Sequence, residues 1–149
     1  MINITEFSEL LAELRQRVNA GSDRPIDGVV LAVSEKHLVK KLKDRAGLLL
    51  CANYPDADLR GTPDGHTERN HLFLALLEKA PAGGSTDGEE MSRYASVQRV
   101  ARLLKRELLA MDFVCHRLDG AEEIRTEWEY EVYGGFNGIS LGLTLSDHD

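Results

Sequence analysis

Cysteine is scarce in this chain. There are two, Cys51 and Cys115, in 149 residues. That excludes a disulfide-stapled scaffold, and both lie in apolar contexts that read as reduced core residues of a cytosolic protein. Long apolar runs are also missing. None approaches the roughly 20 residues that a membrane helix needs, so no membrane partner is expected. The N-terminal "MINITEFSELL" carries acids where an export signal needs bases, which predicts no export. Basic residues are missing from one end in particular. The formal net charge is −7, and residues 119–149 hold eight acids against one Arg, so residues 1–118 sum to zero. Binding to phosphate backbones needs a basic surface, and nucleic acid is therefore not an expected partner. An acidic end facing solvent or a basic partner is.

Catalytic signatures are absent as well. There is no GxSxG and no Walker lysine. "GGFNGISLG" lacks the dinucleotide spacing and leads into a strand pattern, not a helix whose N-terminus would hold phosphate. "DADLRGTPDGHTE" imitates a calcium loop through Asp56, Asp58 and Gly61. Arg60 stands where an oxygen ligand belongs, Thr67 where the closing Glu belongs, and no flanking helix is evident. His66, Glu68 and His71 miss the HExxH spacing, and a zinc site there would need His37 or Asp64. Cys115-His116, read as part of a strand "FVCHRL", would point to opposite faces and form no dyad. The chain is therefore expected to be no enzyme and to carry no cofactor.

What is present is patterning. Ile4, Phe7, Leu11, Leu14 and Val18 fall at helical spacing, with Asn3 placed to cap and Gly21 to end the helix. "PIDGVVLAV" and "LLLCANY" read as strands. "SEKHLVKKLKDRAG" between them reads as a short helix capped by Ser34, or as extended chain. Residues 55–70 are rich in turn formers and predict a long polar loop. "HLFLALLEKA" leans to helix by composition but to a buried strand by its length and its end at Pro81, and strand is expected. A long helix follows over about 89–111, with a stripe from Tyr94 through Val97, Ala101, Leu104 and Leu108 to Met111.

From Glu123 to Val132 the chain alternates strictly, with Glu123, Arg125, Glu127, Glu129 and Glu131 on one parity and Ile124, Thr126, Trp128, Tyr130 and Val132 on the other. After the glycines the parity flips to Ile139, Leu141, Leu143 and Leu145. A hairpin with Asn137-Gly138 in a type I′ turn keeps one face apolar throughout, and so does a slip of two residues. The whole predicts a single α+β domain over residues 1–149: an antiparallel sheet of four to five strands, two main helices on one face, and a C-terminal β-hairpin.

This order resembles the small tail-terminator and tail-completion proteins of tailed phages and prophage-like elements. "LLLCANYPDADL", "NHLFLALLEKA", the long helix and "YEVYGGFNGISLGLTL" carry the likeness. The resemblance implies a non-enzymatic, ring-forming structural subunit, cytoplasmic or in a virion-like particle. Its partners would be copies of itself or other tail-like assembly proteins, and it assigns no site residues. Two charged rows fit such a role. Arg99, Arg102 and Arg106 share one side of the long helix, and Glu127, Glu129 and Glu131 share one strand face. A head-to-tail contact between them would explain both, with Tyr133 facing the neighbour and Phe136 the protein's own core. The alternative is a small metal- or ligand-binding domain, or an enzyme, working through residues 56–71 with His37 or His116 converging there.

Overall fold

The computed structural model describes residues 1–118 and 124–148, with only the backbone of His148. Helix α1, Ile4–Gly21, starts at Asn3, whose Oδ1 accepts from the backbone N–H groups of Thr5 and Glu6 at 2.9 and 3.1 Å. It buries Phe7, Leu10, Leu11, Leu14 and Val18, the predicted stripe. Strand β1, Gly28–Ala32, is followed by helix α2, Glu35–Leu42, with Ser34 Oγ accepting from the N–H of His37. The helical reading of this stretch therefore holds, and the helix stops five residues short of Gly47.

Strand β2, Leu49–Asn53, pairs parallel with β1, as a crossover through a helix requires. One pair in an otherwise antiparallel sheet is thus parallel. Residues 55–70, expected as a loop, instead form strand β3, Asp56–Thr62, and the first part of strand β4, Gly65–Lys79. They join through Pro63-Asp64 in a hairpin whose register runs from Asp56↔His71 to Thr62↔Gly65. The sheet consequently has six strands, one more than the largest number expected. β3 was hidden because most of its residues are exposed. It has no buried face to impose an apolar alternation, and its ladder to β4 holds it.

β4 is a strand, as its length argued. Leu72, Leu74 and Leu76 join the core cluster under α1, while Ala75 and Leu77 join the one under α2. Coverage on both faces explains the unbroken apolar run that resembled a helix. Helix α3, Asp87–Ala110, is capped by Thr86 and buries Val97, Val100, Ala101, Leu104 and Leu108 beside α1. "FVCHRL" is not a strand. Asp112–Cys115 form a short helix, α4, that places Val114 in the main core and leaves Cys115 exposed. Of the two thiols expected inside, only Cys51 is buried.

Strands β5, Arg125–Val132, and β6, Phe136–His148, form the C-terminal hairpin. Its turn is not at Asn137-Gly138. Val132 pairs with Phe136 across a turn over Tyr133, Gly134 and Gly135, and Thr126↔Leu141 and Trp128↔Ile139 replace both expected registers. A bulge between Glu129 and Val132 shifts the ladder by one residue. Glu131 there has φ 48°, and its N–H is held by Asn137 Oδ1 at 2.7 Å. Gly138 serves another purpose, since a Cβ on it would lie 1.8 Å from the carbonyl oxygen of Leu76. The bulge turns Val132 to the face that carries α2, and Phe136, which opens β6 opposite in parity to Ile139, is buried on that same face.

The sheet order is β1-β2-β4-β6-β5, with β3 following β2 along the same edge of β4. The architecture is α+β. The two long helices lie on one sheet face over the larger core, and α2 and the hairpin turn cover one end of the other. No helix among the described residues is long and apolar enough to cross a membrane.

Candidate assembly surface

The three arginines remain together on α3, all exposed. They line a groove of about 810 Å³ with residues 21–24, at the C-terminal end of α1. Arg24, in the same groove, is already committed to Glu78 and to Ser96 Oγ. Arg106 has Glu107 at 3.4 Å, its neighbour in sequence. Arg99 and Arg102 have no ion pair among the described residues. Arg102 also borders a second groove of about 570 Å³, beside Lys105, Thr126 and Trp128, with Ile139 and Leu141 lining it as well.

The acidic row is broken up. Glu127 and Glu129 stay on one face of β5, and the bulge removes Glu131 from it. Each carboxylate has its own local relief from the repulsion that a row of three would suffer. Arg125 reaches Glu127 at 2.7 Å, Ser140 Oγ donates to Glu129 at 2.7 Å, and Glu131 is displaced. Tyr133 is half-buried against the protein's own second core, edge-on to Phe73 with 6.4 Å between ring centroids. Burial, with Glu35 and Glu129 nearby, pushes its hydroxyl up to about 12. Phe136 is in the core, as expected.

Alternation marks the apolar side of β5 but not its exposure. Trp128 is 59% exposed and Tyr130 63%, on a strand whose only ladder partner among the described residues is β6. Tyr94 of α3 meets Trp128 edge-on at 5.7 Å, and its hydroxyl donates to the carbonyl of Glu129 at 2.7 Å. Trp128 is thus oriented but not covered. The available signal was the number of strands against helices, since two helices on one face leave an outer strand bare.

The stretch from Asp56 to His71 converges differently from the metal reading. His71 Nε2 lies 2.8 Å from Asp58 Oδ2, and its Nδ1 lies 3.1 Å from Thr144 Oγ1. The hydrogen bond from His71, with Arg60 and Arg69 nearby, holds the Asp58 carboxyl below the usual range. His37 instead accepts from the N–H of Val33 on its own segment. Among the described residues the metal-capable grouping of three lies elsewhere, at Asp112, Cys115 and His116. No protein-family model matches the chain, and no curated protein matches it in sequence.

Proposed function

We propose that this chain is a non-enzymatic structural subunit that assembles head-to-tail into a ring, as in the tail-terminator class that its element order resembles. One observation carries the reading. The arginine row lies on α3, on the helix side of the sheet, and Glu127 and Glu129 lie on the opposite face of the outermost strand. The sheet stands between them, so they satisfy each other only across two molecules. Patches that differ make a heterologous contact, and such contacts close into rings or run on as filaments.

Magnitudes assign the roles. Exposed ion pairs contribute about 0–1 kcal/mol each, which is too little to hold an oligomer. The charged rows therefore orient the partners and speed their encounter. Affinity comes from desolvating Trp128 and Tyr130, since buried aromatic anchors dominate interfaces. Light scattering should find a mass that rises with concentration to a fixed multiple of the 16.6 kDa chain. Arg102→Glu with Arg106→Glu should reduce it to monomer, and mixing that variant with Glu127→Arg/Glu129→Arg should restore association. A strict monomer at high concentration, or an unchanged mass in the double variant, rejects the proposal.

A second reading, a small ligand-binding domain or an enzyme working through residues 56–71, has the Asp58–His71–Thr144 chain in its favour. It is a hydroxyl, an imidazole and a carboxylate in hydrogen-bonded sequence, the order that activates a nucleophile. Hydrolysis of an activated ester that falls in both His71→Ala and Thr144→Ala would establish it. Equal rates in the parent and both variants would dismiss it.

A further inference from the structure

We infer that Asp112, Cys115 and His116 form a site for a single borderline-soft divalent cation, zinc by preference. The three lie at spacings of three and four, which put them on one side of a helical turn. One ligand atom from each falls within 4.8 Å of the other two. Around a tetrahedral zinc ion such atoms stand roughly 3.5 Å apart, given metal–ligand bonds of about 2.0–2.3 Å. All three residues are exposed, so rotation of their side chains can close that difference. A thiolate, an imidazole and a carboxylate together suit zinc better than magnesium or calcium, which prefer oxygen alone.

Two further observations favour a cation here. The first is that the ligands are uncommitted while their backbone is held. Met111 and Val114 are buried, the N–H of Ser146 donates to the carbonyl of Arg117 at 2.8 Å, and Arg117 lies over the Phe113 ring at 4.2 Å. Arg117, the nearest cation in sequence, is paired with Asp147 at 2.8 Å. Neither Asp112 nor His116 has an ion pair or side-chain hydrogen bond among the described residues. Cys115 has only a weak contact from its sulfur to the carbonyl of Asp112, at 3.8 Å. The second is the surrounding charge. Asp112 and Phe113 line a groove of about 670 Å³ with Glu6, Glu9, Glu13 and Arg17 of α1, four carboxylates against one guanidinium, which is paired with Glu13. That field gathers divalent cations from solution.

Three protein ligands leave a fourth position for water. Binding releases the Cys115 thiol proton to solvent, so affinity rises with pH. Protein stripped with a chelator should take up one equivalent of Zn²⁺ in competition with a chromophoric chelator. Co²⁺ should produce a thiolate-to-metal absorption band. Cys115→Ser should abolish the band, and Cys115→Ser or His116→Ala should weaken Zn²⁺ binding at least tenfold. His37→Ala, on α2 across the sheet, should leave both unchanged. Matching metal-free thermal melts establish that the variants are folded, as three exposed residues lead one to expect. No uptake beyond that of the Asp112→Asn/Cys115→Ser/His116→Ala variant overturns the site, and so does a cobalt band that survives Cys115→Ser.

Discussion

The two halves of β4 are one strand in two environments. Residues 72–77 lie between α1 and α3 on one side and α2 on the other, and nearly every side chain is buried. Residues 65–71 carry β3 on one edge and β6 on the other, yet only Asn70 is buried. Backbone pairing is similar in the two halves, with residues 74–77 of one and 67–71 of the other paired on both edges. They differ in what lies above and below. The buried half supplies stability through burial, and the open half displays Asp58, His71 and Thr144, where side chains can meet solvent or a partner.

The sharpest break of that contrast is Leu74→Ala in the buried half. It removes a fully buried side chain from the larger core and should cost about 2–5 kcal/mol in denaturant unfolding, whereas Leu59→Ala, 64% exposed on β3, should cost under about 0.5 kcal/mol. Next is Asn137→Ala. It leaves the N–H of Glu131 without its partner at the bulge and should cost about 1 kcal/mol, with the loss seen first as faster amide exchange at Glu131. Smallest is His71→Ala in the open half. Asp58 titrates below its ordinary value, so its contribution is present above the unfolded value and is lost as pH falls through the folded one. The variant should raise the Asp58 titration, read by NMR, and flatten the stability-versus-pH curve below about pH 4. An unmoved titration would mean that Arg60 and Arg69, not His71, hold the carboxylate.

The long helices and the buried strands were legible because a one-sided or two-sided core imposes a period, and Phe7 to Val18 and Leu72 to Leu77 carry it openly. β3 was not, since a strand exposed over most of its length has no period to impose. Glu127 and Glu129 share a face of β5, and a bulge that alternation does not reveal takes Glu131 off it. A strand would point Cys115 and His116 to opposite faces, but the chain is helical there. On a helical turn the two join Asp112, three and four residues away.

The hairpin divides the two kinds of information most clearly. Local sequence by itself determined that β5 and β6 pair antiparallel, because glycines separate two alternating runs. It also determined which parity is apolar, as Trp128 opposite Ile139 and Thr126 opposite Leu141 bear out. Only the tertiary structure decided where the chain turns. Asn137-Gly138 is the stronger turn signal in isolation, but Gly138 is needed where β6 crosses close to Leu76, and Phe136 has a place in the core beneath α2. Those contacts lie about sixty residues or more away in sequence, and burying Phe136 outweighs the small preference of one turn type over another.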